Sequence, residues 1–325
     1  MAPAELLRGA VERTALAGHE GKSGAGLERV RLVDGRVLVV KRVSAADDLT
    51  LRLTGGTVGR EHLLRVSGVL DRLPPGVGHA VLDSWIEDDV TVVVMRDLGD
   101  RVLTWRDRLD AATTAWVMER VARLHRAFLG SPPPGLAPLE LVLGLFSPAR
   151  IRPAADEGSS LMTLALRGWE IFGETVAGDV AGPVAGLLAD PTPLAEALSE
   201  GPVTLAHGDL ATVNMAFDGD DLLLLDWAMP VAAPGALDLA RFLAGCSSVV
   251  EPTREQLLVR YAAAAGPAYD DRSLHLALLA ALVWLGWNKA LDAAEHPDPA
   301  VRAREQDDLD WWVGRARLAL ESGAL

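Results

Sequence analysis

Residues 203–227 read VTLAHGDLATVNMAFDGDDLLLLDW, with polar side chains standing at the ends of apolar runs. Val203 to Ala206 reads as a short strand leading into a His207-Gly208-Asp209 turn. Val213 to Phe217 and Leu222 to Leu225 read as two more strands, and Asp218-Gly219-Asp220-Asp221 supplies the turn between them, so they form a hairpin. A hairpin brings its entry, Asn214, close to its exit, Asp226. Asp209 then faces an amide and a second carboxylate across a small gap. Such a set offers oxygen ligands to a hard divalent cation and keeps a separate carboxylate for a hydroxyl proton. Asp and Asn are favoured in turns on their own account, which covers residues 218–221 but not the carboxylate that closes the leucine run.

The pattern His-x-Asp, Asn five residues on, and Asp-Trp twelve beyond that Asn resembles the catalytic and metal-binding segments of the protein-kinase-like fold. Gly208 and the Asp226-Trp227 pair look more like aminoglycoside phosphotransferases and related small-molecule kinases than like protein kinases. The resemblance runs from about residue 14 to about residue 290. It implies a bilobal α+β fold, with a β-rich N-terminal lobe over residues 1–98 and a mostly helical C-terminal lobe over 99–325. By that resemblance Asp209 is the catalytic carboxylate, Asn214 and Asp226 hold Mg2+, and the nucleotide is ATP or GTP. His207 reads as a support for Asp209 rather than a direct proton carrier. Asp238, in Gly235-Ala-Leu-Asp238-Leu-Ala, is implied to brace the same loop. His125, in Leu124-His125-Arg126, matches a structural position.

A nucleotide site needs further, separated elements. Lys41 lies inside the apolar run Val37-Leu-Val-Val-Lys41-Arg-Val, where an ammonium is costly unless paired. Glu61, at the start of the next helix, is its best partner. The alternative puts Lys41 on the solvent face of an edge strand and leaves Glu61 as a favourable helix N-terminal residue. Alternation sends Arg42 to the opposite face. Gly21-Lys22-Ser23-Gly24-Ala25-Gly26 reads as a small-residue bend whose backbone, at Ser23 and Gly24, approaches phosphates. It is not a Walker loop, because Leu16 stands where that motif requires glycine. Met95 and Asp97, in Val92-Val-Val-Met95-Arg-Asp97-Leu-Gly, resemble the connector that meets the adenine edge.

The remainder of the chain suits this layout. Strands are expected around 13–18, 27–33, 37–43, 80–86 and 90–95, with a helix over 60–73. Helices follow at 111–129, 161–176, 194–198, 237–244, 254–265, 273–294 and 301–320. Residues 131–160, rich in Pro, Ala and Gly, read as a surface insertion or substrate loop. Half the residues are hydrophobic, enough for a large core and against general disorder. The most apolar stretch, Leu274 to Trp287, is short for a membrane span and reads as a buried helix. Charged residues interrupt the N-terminal apolar positions, and the single Cys246 permits no intramolecular disulfide, so a cytoplasmic location without a membrane is expected. A net charge of −14 argues against nucleic-acid binding; it is compatible with a cationic acceptor or simply with solubility.

The acceptor itself is the open question. The first reading is a small molecule with a hydroxyl, such as an aminoglycoside, nucleoside or peptide antibiotic or a related metabolite. A precursor peptide phosphorylated on Ser or Thr, and a choline- or sugar-type metabolite, are alternatives. A silent binding module is disfavoured by the intact set Lys41, Asp209, Asn214 and Asp226. Glu157, Asp292, Glu295, Asp307, Asp308 and Asp310 are candidates to meet a cationic acceptor. Trp284, Trp287, Trp311 and Trp312 read as core at their helical spacing, with an amine cage as the alternative.

Overall fold

The computed structural model describes residues 6–16 and 26–325. The bend containing Ser23 and Gly24 therefore lies outside the described residues. Five antiparallel strands, β1 (Ala10–Ala15), β2 (Gly26–Leu32), β3 (Val37–Val43), β5 (Val81–Glu87) and β6 (Val90–Arg96), form one sheet in the order β1-β2-β3-β6-β5. Alternation gives this sheet two faces. Val30, Leu32, Leu38, Val40, Val92 and Val94 pack together on one face. The opposite face carries Lys41, which lies between Leu27 of β2 and Val93 of β6.

Two helices sit between β3 and β5: α1 (Leu49–Leu53) and α2 (Arg60–Val66). The continuous helix expected over 60–73 breaks after Ser67, because Gly68 adopts a left-handed backbone. A 3-10 turn, Leu70–Arg72, then completes the apolar face. Arg60 anchors α2 from below: it is buried, donates to the Thr54 hydroxyl and carbonyl at 2.7 Å, and reaches the Ala228 carbonyl at 3.1 Å.

Beyond the connector the chain is mainly helical: α3 (Ala111–Ala127), α4 (Leu139–Leu143), α5 (Pro148–Asp156), α6 (Ser160–Thr175), α7 (Gly178–Ala189), α8 (Thr192–Ser199), α9 (Ala236–Cys246), α10 (Arg254–Ala265), α11 (Asp271–Glu295) and α12 (Pro299–Glu321). Small sheets are set into this body. The hairpin is β8 (Met215–Asp218) with β9 (Asp221–Leu224), and β4 (Val77–Gly78) pairs parallel to β9. The hairpin begins two residues later than expected, since Thr212–Asn214 forms a 3-10 turn. β7 (Val203–Ala206) pairs with β10 (Val231–Pro234), a strand too short and Pro-terminated to stand out in sequence.

Residues 131–160 are not a surface insertion. Leu139, Val142, Leu143, Leu145 and Ile151 belong to the main core, and the Ala137 N–H donates to the Pro230 carbonyl at 2.8 Å. Proline and glycine obscured the period there, while the leucines still had to be buried. The central helix is α11. By length and composition it passes for a membrane span, but most of its apolar window is covered by the rest of the protein, so it is a core helix.

Candidate active site

β7 delivers the chain into the His207-Gly208-Asp209 turn. Gly208 has φ of +82°, and a Cβ there would run into the Met229 carbonyl oxygen, closer than real Cβ atoms approach. Only glycine both adopts that backbone and leaves the space. Gly208→Ala is expected to cost at least about 1 kcal/mol from the backbone alone, with the collision added to it. A lowered melting temperature and lowered activity together check this; unchanged values of both would mean that the turn relaxes freely.

Asp238, on the first turn of α9, holds the turn from beneath. Its fully buried carboxylate accepts from the His207 N–H at 2.7 Å and the Gly208 N–H at 2.8 Å. His125 Nε2–H of α3 donates to the same carboxylate at 3.0 Å, and Tyr261 donates its hydroxyl to His125 Nδ1 at 2.7 Å. Burial works against the Asp238 charge, but these donors outweigh it, so its carboxyl lies below the usual carboxylate range. Burial and the Asp238 charge together push the Tyr261 phenol well up. Gly235 leaves room for the relay, since a Cβ there would collide with His125 and Tyr261.

His207 is fully buried, and both its ring nitrogens are engaged. Nδ1 accepts from the Asp209 N–H at 3.3 Å, so Nε2 carries the proton and donates to the Leu225 carbonyl at 2.9 Å. The ring also packs on Trp227. One imidazole thus joins the Asp209 turn to the residue preceding Asp226.

Beside Asp238, the carboxylates of Asp209, Asp226 and Glu61 meet two cations, Arg241 and Lys41, around this turn. Asp209 receives the Arg241 guanidinium on Oδ1 at 2.7 Å and the Asn214 amide on Oδ2 at 3.1 Å. Asn214 Nδ2 also donates to the Asp209 carbonyl at 2.8 Å, which leaves the amide oxygen Oδ1 as the end without these bonds. The Leu225 N–H donates to the Asn214 carbonyl at 2.9 Å, so the hairpin does bring Asn214 beside Asp226. Asp226 has φ of +56°, a left-handed conformation that Asp tolerates better than most residues. Its carboxylate accepts from Lys41 Nζ at 2.6 Å, and Lys41 also meets Glu61 at 2.8 Å. Burial opposes the Lys41 charge, but Asp226 and Glu61 more than compensate and hold its ammonium above the ordinary lysine range.

Lys41, Glu61, Asp209, Asn214 and Asp226 are therefore brought together. Met95, near the end of β6, pairs with Val39, two residues from Lys41 on the same face of β3, and Asp97 follows the strand. There Asp97 takes Arg29 on one carboxylate oxygen at 2.7 Å and the Gly99 N–H on the other at 3.0 Å. Arg241 was not anticipated from the sequence. The clue was present in Ala236-Leu-Asp-Leu-Ala-Arg-Phe-Leu-Ala-Gly-Cys246, whose two charged residues, Asp238 and Arg241, are three apart and share a helix face.

The acidic residues considered for a cationic acceptor are largely engaged with other groups. Asp308 is buried against Lys289 and Arg254, Glu295 pairs with Arg167, and Asp310 accepts from Gln306. Glu157 lies 4.0 Å from Arg52. Burial and the Glu305 charge raise the Asp292 carboxyl, which also accepts from Asn288. Asp307 is exposed. Trp284, Trp287 and Trp312 are buried core residues, and Trp311 is partly buried near Arg254 and Arg315.

Two solved structures share this architecture. An aminoglycoside phosphotransferase from Alicyclobacillus acidocaldarius subsp. acidocaldarius DSM 446 aligns at 16% identity over 98% of this chain and 93% of its own, with a TM-score of 0.50. Choline kinase LicA from Streptococcus pneumoniae aligns at 12% identity over 95% of each chain, with a TM-score of 0.55. At such identities the likeness is one of fold, the kinase-like α+β fold. No curated protein matches the chain by sequence. The sequence model described as the phosphotransferase enzyme family (APH) matches residues 87–275, more than half of the chain and the span that includes His207, Asp209, Asn214, Asp226 and Asp238. This protein belongs to the phosphotransferase enzyme family.

Proposed function

We propose that the protein transfers the γ-phosphate of ATP or GTP, with Mg2+, to a hydroxyl of a small molecule, an antibiotic or a related metabolite. The observation that carries this reading is the bridging of Lys41 Nζ between Glu61 of α2 and Asp226 at the end of the hairpin. That bridge supports the reading, because a triphosphate requires a fixed cation beside the carboxylates that would hold its metal. Family membership supports the reaction class.

The oxygen donors fit a hard divalent ion. Asp226 keeps a partly exposed carboxylate, and the orientation of Asn214 leaves its amide oxygen for a ligand role. Among the described residues no cluster of three or more His, Cys, Asp or Glu forms a metal site. A site that borrows its remaining ligands from phosphate and water needs no such cluster. Bound Mg2+ would neutralise charge on the phosphates. Asp209, fixed on one side by Arg241 and on the other by Asn214, orients the acceptor hydroxyl and takes its proton. Lys41 holds the phosphate oxygens. His207 and Asp238 keep the Asp209 turn in place. Most of the rate gain then comes from positioning and charge, since little covalent chemistry is asked of the protein.

Binding of the nucleotide gives a test that needs no acceptor. ATP with Mg2+ is expected to raise the melting temperature of the wild type, and Lys41→Met to lose most of that rise, with a nucleotide affinity roughly tenfold or more weaker. A Lys41→Met protein that binds ATP as tightly as the wild type rules out the phosphate role. ADP release with a panel of hydroxyl compounds then identifies the acceptor.

A further inference from the structure

Arg241 stands at Asp209, the carboxylate proposed to receive the acceptor hydroxyl, and its hydrogen bonds are not all made. The side chain is 11% exposed, with Nη2 at 2.7 Å from Asp209 Oδ1. Its guanidinium lies over Trp284 of α11, 5.7 Å from the ring centroid. Arg241 Nε–H is buried without a hydrogen-bond partner, and so is the Nε1–H of Trp284. A buried donor left unpaired is unfavourable. Two of them, on side chains packed together behind Asp209, leave this region rich in donors and short of acceptors.

The carboxylates Glu305 and Asp308 of α12, by contrast, are occupied. Lys289 is held between Glu305 at 3.0 Å and Asp308 at 2.6 Å, Arg254 also pairs with Asp308, and Arg304 closes on Glu305 at 2.9 Å. A polycationic acceptor would meet a guanidinium at the reacting carboxylate.

We propose that Arg241, backed by the buried Trp284, forms an acceptor subsite for an anionic oxygen, so that the acceptor is a hydroxyl compound bearing a carboxylate or similar oxyanion rather than a polycation. This inference rests on the kinase reading of the site and narrows it. In the reaction the acceptor oxygen bonds to the γ-phosphorus, the bond from that phosphorus to the β,γ-bridging oxygen breaks, ADP leaves, and the hydroxyl proton passes to Asp209. The neighbouring oxyanion takes the donors of Arg241 that Asp209 does not use. A guanidinium carries five N–H groups in a rigid fork and can serve two carboxylates at once; an ammonium lacks that fork.

Two sets of acceptors that differ mainly in charge test this: glucuronate, glucose and glucosamine, and glycerate, glycerol and serinol. Each is assayed with the full-length protein for ADP release from ATP with Mg2+, and for binding by melting shift in the presence of ADP and Mg2+. The anionic member of at least one set is expected to bind or react roughly tenfold or more better than its neutral and amine counterparts. Arg241→Gln is expected to erase that advantage through the acceptor KM rather than the ATP KM, and Arg241→Lys to restore part of it. The melting shift given by ADP and Mg2+ reports whether each variant keeps its fold and nucleotide site. Preference for the amine, an anion preference that survives Arg241→Gln, or no anion preference in either set overturns the inference. A wild type that binds and consumes ATP with an amine acceptor defeats the subsite alone. A wild type that binds no ATP removes the kinase reading, and this inference with it.

Discussion

Replacing Asp226 with asparagine is expected to lower phosphoryl transfer by about a thousandfold, through loss of one fixed charge at the phosphates. Asparagine is the informative substitution because residue 226 sits at φ of +56°, where Asn is tolerated and alanine is strained. The side chain is partly exposed, and Lys41 retains Glu61 at 2.8 Å, so the ammonium does not become a buried unpaired charge. Stability should change little. ADP release measured beside a melting curve separates the two effects. A folded Asp226→Asn protein with full activity would falsify the metal and phosphate role assigned to this carboxylate.

The second large effect falls on stability. Asp238→Ala is expected to cost about 3–5 kcal/mol, because it leaves two backbone N–H groups and a buried imidazole without their acceptor. Asp238→Asn keeps the shape and one acceptor oxygen, and should fall between the two. A pH dependence follows from the depressed carboxyl. A group whose pKa is lower in the folded than in the unfolded state stabilises the fold above its unfolded value, here near 3.8. That stabilisation is lost as the pH falls through the folded value beneath it. Urea unfolding should therefore show the wild type losing its margin over Asp238→Asn only in that acid range. A difference between the two proteins that stays constant from neutral pH down to full acid denaturation would mean that the Asp238 charge is not what holds the turn.

Much of this arrangement was legible in the chain because its spacing carries geometry. In β3 strict alternation separates Lys41 from Arg42, so one faces the site and the other solvent. The acidic turn at 218–221 folds Asn214 back toward Asp226, and the strands on either side are apolar enough to be buried wherever they are placed. Glu61 could be named because α2 begins one residue before it. The burial of residues 131–160 is hidden in the sequence because Pro and Gly break the helical period, although Leu139, Leu143 and Ile151 belong to the core. The helix over 60–73 was overextended because the apolar spacing continues past Gly68 while the backbone does not.

Sequence alone determined the elements whose chemistry depends on neighbours along the chain: the strand lysine, the hairpin with its amide and carboxylate, and the glycine inside the His-Gly-Asp turn. Only the tertiary structure decided the partners that come from far away in the chain. Asp226 meets Lys41 across 185 residues, His125 joins the Asp238 that the resemblance already set beneath the turn, and Arg241 closes on Asp209. The physical reason is that periodicity and turn chemistry are local, whereas an ion pair forms wherever packing brings two buried charges together. His207-Gly208-Asp209 could thus be recognised as it stands. Which cation shares its carboxylate depended on where α9 packs.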